Sequence, residues 1–169
     1  PPHTSSRRQR QMCIRDSAVC VGHPLVDELQ QLPAADALRA ALGLPSNKTL
    51  LAVLPGSREG EVRHLMPVFA EAMQVLQARH TDLHFVIPAA NAERYQQIES
   101  VLQSTAQPVS LIRGHGREVM RCSDAIMIAS GTATLEAMLL CKPMVISYRL
   151  ASVSYTHLTL PTRRGGVGG

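Results

Sequence analysis

The chain has 169 residues, 45% of them hydrophobic and 18% charged, a balance that suits a globular domain with its own core rather than a disordered chain. No stretch approaches the roughly 20 apolar residues of a membrane-spanning helix, and two Phe, three Tyr and no Trp leave too few rings to stack on single-stranded nucleic acid. The net charge of +4 sits at the ends: residues 1–17 carry +3, residues 151–169 carry +2 and residues 18–150 carry −1, so the middle has no polyanion footprint and no nucleic-acid partner is expected.

Residues 1–17 (PPHTSSRRQRQMCIRDS) show neither helical nor strand periodicity. Ala18–Val21 is a short apolar run ending in a turn at Gly22-His23-Pro24. Pro33 precedes Ala34–Leu42, a helix-forming stretch stopped by Gly43. Thr49–Leu54 (TLLAVL) is a continuous apolar run closed by Pro55-Gly56, as a strand buried on both faces of a parallel sheet requires. Over Glu61–Arg79, apolar residues at 62, 65, 66, 69, 72, 73 and 76 form a helical stripe. The series continues with a strand at Leu83–Ile87, a helix at Ala92–Leu102, a strand at Val109–Ile112 and a short helix at Arg117–Arg121. It closes with a strand at Ala125–Ala129, a helix at Thr132–Leu140 and a strand at Met144–Ser147. The tail at 151–169 ends Gly-rich. MCIRDS and SYTHLTLPT resemble translated sequencing-adapter read-through, so residues 1–17 and 151–169 are expected to be non-native or disordered tails around one domain at 18–150. Alternation of strand and helix with short connections predicts an α/β fold with a doubly wound parallel sheet, whose post-strand loops line one rim.

Two of those loops bear chemistry. In Leu54-Pro55-Gly56-Ser57-Arg58-Glu59-Gly60, the glycines let backbone approach a ligand, Ser57 offers a hydroxyl, and Arg58 offers a planar five-donor fork suited to phosphate. The following helix N-terminus favours an anion. The plain alternative is a loop in which Ser57 caps the helix and Arg58 lies in solvent. In Ala129-Ser130-Gly131-Thr132, the small hydroxyl-rich turn again opens a helix and could cradle a diphosphate. Glu136, one turn further, leans back toward the helix start and could accept both hydroxyls of a ribose. Ordinary capping by Ser130 or Thr132, and a solvated or capping-box Glu136, are the alternatives. Gly114-His115-Gly116 is a third rim loop whose backbone could read a base edge.

Other chemistries lack their signatures. GxxxxGK[ST] and GxGxxG are absent, which argues against P-loop NTPases and dinucleotide dehydrogenases. Cys13, Cys20, Cys122 and Cys141 form no CxxC pair and no zinc spacing, so no metal is expected; they read as reduced thiols of a cytosolic protein, with Cys122 and Cys141 as small apolar side chains. His64, His80 and His84 are assigned no role.

VGHPLVDEL at 21–29, LAVLPGSREGEV at 51–62, VIPAANAER at 86–94, GREVMRCSDAIMIASGTATLEAML at 116–139 and KPMVISYR at 142–149 together resemble the lipid-A-disaccharide synthase family. The match covers about 18–150 in order. It implies a Rossmann-like half of a GT-B glycosyltransferase, an enzyme whose active site lies between two such domains. The family transfers diacylglucosamine from its UDP carrier to diacylglucosamine 1-phosphate, giving lipid A disaccharide 1-phosphate and UDP. It is cytoplasmic, peripheral to the inner membrane, and uses no metal or redox cofactor. Carried across, the resemblance assigns Ser57, Arg58, Ser130, Gly131 and Thr132 to the UDP diphosphate, Glu136 to the ribose, and backbone around Gly114 and Gly116 to uracil. Arg58 would stabilise charge on the leaving UDP, and no other catalytic residue is expected in this chain.

The family's acceptor-binding half, with its general base and lipid-facing surface, and the stretch after Arg149 are expected to lie outside this sequence. The chain should then bind the UDP-2,3-diacylglucosamine donor weakly at best and not turn over alone. Two other readings are a UDP-sugar 2-epimerase-like GT-B enzyme, with its catalytic acids upstream, and a non-catalytic nucleotide-binding module.

Overall fold

The computed structural model describes residues 24–103 and 108–148. The expected tails, the run at 18–21, Cys13 and Cys20 lie outside them. The chain divides into two compact units, residues 1–31 and 32–169. In the first, helix α1 spans Pro24–Gln30. Of the expected turn at Gly22-His23-Pro24 only Pro24 is among the described residues, and it opens this helix, where its fixed φ and missing N–H are tolerated.

The second unit holds α2 (Ala35–Ala41), β1 (Thr49–Leu54), α3 (Glu59–Arg79), β2 (Leu83–Ala89), α4 (Ala92–Leu102), β3 (Val109–Arg113), α5 (Gly116–Cys122), β4 (Ala125–Ala129), α6 (Ala133–Leu139) and β5 (Met144–Ser147). The five strands form one sheet in the order β3-β2-β1-β4-β5, and each neighbouring pair is parallel. The doubly wound α/β expectation holds.

Strand alternation sends side chains to both faces. Val53, Phe85, Ile87 and Met127 pack with Val62, Met66, Phe69 and Met73 of α3 and Ile98 of α4. Leu50, Ala52, Val86, Ile126 and Ile128 are buried on the other face, the side of α5 and α6. Full burial of each of the larger side chains here contributes about 1.5–3 kcal/mol, which is why central strands read as unbroken apolar runs. β2 runs on through Pro88, two residues beyond its last pairing with β1 at Val86, so the missing proline N–H breaks no β1–β2 ladder bond. At one edge, β5 exposes Val145 and Ile146, at 65% and 52%.

The rim at the strand N-termini is tied by polar groups. Asp124 Oδ2 accepts the Leu50 N–H at 2.8 Å, and the Asp124 N–H donates to the Leu50 carbonyl at 2.9 Å. Arg39 on α2 donates to that carboxylate at 2.9 Å and to the Cys122 carbonyl at 2.9 Å. Lys142 Nζ donates to the Ser123 carbonyl at 2.6 Å; burial lowers the pKa of this amine.

Two helices end alike. After α2, the N–H groups of Gly43 and Leu44 bond to the carbonyls of Ala40 and Arg39, with Gly43 at φ +65°. After α6, those of Cys141 and Lys142 bond to Met138 and Ala137, with Cys141 at φ +52°. Both are Schellman closures. Cys122 is buried as expected, and burial pushes its thiol pKa up. Cys141 departs from its expected apolar role: it is exposed, because the residue after the last helical turn swings into solvent.

Candidate functional site

β1 and β4 lie side by side, with Leu54 in register with Ile128. From β1 the chain winds outward to β2 and β3; β4 and β5 build the sheet in the opposite direction. This is the topological switch point, where the loops after the two central strands part and leave a crevice at the carboxyl ends. The loops that follow those strands are Pro55–Arg58 and Ser130–Thr132.

A cleft of about 380 Å³ opens there. Ser57, Arg58, Gly114, Gly116, Ser130, Gly131, Thr132 and Glu136 all line it, with Glu61, Pro88, Ala89, Ala90, Met120 and Ile128 among its other walls. The structure thus brings these eight candidate residues from the three rim loops together. Gly60 departs from expectation: it lies in the first turn of α3, outside the cleft wall.

The first loop is held by a residue the sequence reading passed over. Glu61 Oε2 accepts the backbone N–H groups of Ser57 and Arg58 at 3.0 and 3.2 Å, and Oε1 lies 3.3 Å from Arg58 Nη1. The helix N-cap is Arg58, not Ser57; Glu61 three residues on supplies the acidic half of a capping box. Gly56 adopts φ +111° to make the turn, a conformation open to glycine. The Arg58 side chain is 85% exposed, so its guanidinium can swing from Glu61 toward a ligand at little cost.

Glu136 is neither solvated nor a capping partner. Arg117 Nε donates to its Oε1 at 2.8 Å, joining α5 to α6. Glu61 and Arg117 are the two site residues that sequence reading missed. An acid at the third helical position is a readable signal for the first; no spacing rule reaches the second, 19 residues from its partner.

In the third loop the Gly114 N–H bonds to the Ala89 carbonyl at 2.8 Å, closing the end of β3 on β2. Gly114 and His115 take φ +72° and +58°, and His115 Nδ1 stands 3.5 Å from Glu118 Oε1. Away from the cleft, His84 Nε2 and Ser110 Oγ share a hydrogen bond of 2.8 Å between β2 and β3. Among the described residues no three His, Cys, Asp or Glu side chains gather as metal ligands would.

The family model for lipid-A-disaccharide synthetase matches residues 15–158. The chain belongs to the lipid-A-disaccharide synthetase family. It is 52% identical over 137 residues to the lipid-A-disaccharide synthase of Hahella chejuensis, covering 80% of this chain and 35% of that protein. For the same enzyme of Alcanivorax borkumensis, identity is 50% over 136 residues, covering 80% and 36%. The chain therefore spans about a third of the length of these synthase relatives. Among solved structures it is similar to a Staphylococcus aureus MnaA–UDP complex, with a TM-score of 0.60 and 18% identity over 82% of this chain and 39% of that one. It is also similar to Escherichia coli ADP-heptose heptosyltransferase II, with a TM-score of 0.56 and 16% identity over 66% and 36%. At these identities the likeness is one of fold, and it agrees with the Rossmann-like half of a GT-B architecture expected for this synthetase family.

Proposed function

We propose that this chain is the donor-binding part of a lipid-A-disaccharide synthase, the enzyme that moves diacylglucosamine from UDP to diacylglucosamine 1-phosphate and releases lipid A disaccharide 1-phosphate and UDP. The observation that carries the reading is the convergence of three rim loops, with their hydroxyls, Arg58 and Glu136, on one cleft at the switch point of a chain with this family membership. Ser57, Arg58, Ser130, Gly131 and Thr132 hold the diphosphate, Glu136 accepts the ribose hydroxyls, and backbone around Gly114 and Gly116 meets uracil. The related fold of MnaA, solved with UDP, supports a uridine nucleotide in the corresponding crevice.

The reaction is displacement at the anomeric carbon of the donor. Negative charge grows on the departing UDP, and Arg58, beside the N-terminus of the long helix α3, is placed to offset it. The lipid acceptor and its general base belong to the remainder of the enzyme. Peripheral attachment to the inner membrane from the cytoplasm belongs to the same reading; no described helix is long and apolar enough to cross a membrane. The epimerase-like alternative is set aside because the two relatives that match at 50–52% identity are synthases.

UDP titration of the 169-residue chain, followed by amide chemical shifts at millimolar ligand, tests the site. Arg58→Ala should weaken UDP at least tenfold, the loss of a charge-assisted contact of about 1.5–3 kcal/mol. Unchanged affinity would return the chain to a bare nucleotide-binding module, and turnover by the isolated chain would overturn the division of labour.

A further inference from the structure

Glu136 poses an electrostatic problem for the donor site. A carboxylate in a cleft that receives a diphosphate repels its ligand, and repulsion between like charges grows as water is excluded. The structure supplies an answer. Arg117, in the first turn of α5, lies outside the cleft wall and donates its Nε–H to Glu136 Oε1 at 2.8 Å. The Glu136 side chain, 20% exposed, lines the cleft, and that of Arg117, 41% exposed, pairs with it without being part of that lining.

We infer that Arg117 is a positioning residue for ribose recognition: it fixes the Glu136 carboxylate on α6 and cancels its charge against the incoming diphosphate. The inference rests on the donor-site reading above. One bond to Arg117 occupies a fraction of the roughly four lone-pair sites of a carboxylate, so capacity remains for two ribose hydroxyls. The contact runs through Nε, in the plane of the guanidinium, which restricts how the carboxylate can turn. A lysine ammonium restores the charge without that plane. Glu136 without Arg117 would rotate about its side-chain torsions and face the diphosphate with its charge uncompensated.

The test compares UDP, 2′-deoxy-UDP and inorganic pyrophosphate on the 169-residue chain by amide chemical-shift titration. The parent chain should prefer UDP over 2′-deoxy-UDP about tenfold, the worth of a hydrogen bond to a charged acceptor. Arg117→Ala should bring that ratio close to one and weaken pyrophosphate severalfold. Arg117→Ala combined with Glu136→Gln should recover pyrophosphate binding without recovering the preference. Arg117→Lys should recover pyrophosphate binding and only part of the preference; it also stands in if the alanine variant fails to fold. If the parent discriminates and Arg117→Ala, or in its place Arg117→Lys, discriminates equally well, the inference fails while the ribose reading stands. A variant that loses all ligands in proportion shows a merely structural arginine and overturns the inference too. No preference in the parent removes Glu136 from the ribose, and the role of Arg117 with it.

Discussion

Gly56 and Glu61 lie so close that a Cβ on residue 56 would sit 2.6 Å from that of Glu61, far inside van der Waals contact. The glycine is what lets the Glu61 carboxylate fold back over the turn and hold the Ser57 and Arg58 amides. Gly56→Ala therefore faces both a collision and an L side chain at φ +111°. It should destabilise the fold by about 1–3 kcal/mol and abolish UDP binding. Gly60→Ala, four residues on and with open space around it, should instead stabilise by about 0.5–1 kcal/mol. Urea unfolding of the two variants checks the contrast.

The opposite rim offers a stability test separate from ligand binding. Asp124→Ala removes the acceptor of the buried Leu50 N–H and the carboxylate that Arg39 meets. The expected loss is about 1–3 kcal/mol, with UDP affinity of the folded fraction unchanged, because the strands separate this carboxylate from the cleft by the height of the sheet. Denaturant midpoints read alongside UDP titrations decide it.

Cys141 occupies a helix-ending position that suits glycine. Its left-handed φ of +52° costs an L residue roughly 1–2 kcal/mol, part of which glycine would return in unfolded-state entropy. Cys141→Gly should raise stability by about 0.5–1 kcal/mol, measured by thermal or chemical denaturation under reducing conditions.

His84 makes stability depend on pH. Burial, and secondarily the Lys48 charge, hold its pKa below the ordinary 6.5. The fold thus prefers neutral imidazole, and the unfolded chain takes up the proton first as pH falls. The contribution is complete above 6.5 and is lost as pH drops through that value and below. In His84→Gln, the curve of stability against pH between 7 and 5 should be flatter than in the parent; an unchanged slope would contradict this.

How much of this was legible beforehand follows from the range of the interactions. TLLAVL and AIMIA read as strands because neighbours cover both faces, and a buried parallel strand has no polar side to betray its period. The stripe from Val62 to Leu76 read as a helix because α3 buries one side only. For the elements that were expected, observed boundaries fall within two residues, the shifts being at helix caps and at the extensions of β2 through Ala89 and of β3 through Arg113; the helix at Pro24–Gln30 was not expected. The candidate cleft followed from topology: loops after parallel strands share a rim, so their residues could be grouped without knowing contacts. What escaped was set by pairings across long sequence distance. Arg117 meets Glu136 over 19 residues, His84 meets Ser110 over 26, and Arg39 meets Asp124 over 85. No local periodicity encodes such partners. Glu61 escaped for the opposite reason: its signal is local, but Ser57 was a more familiar cap than Arg58.

Among the described residues no strand pairs with the outer side of β5, and this has a practical consequence. Val145 and Ile146 point to opposite faces, so this margin is oily above and below its backbone groups, with no lysine or proline on the strand to deter a visitor. Two copies meeting there could continue one ladder into the next. Concentrated solutions should therefore thicken into oligomers, and a single lysine in place of Val145 should keep them clear.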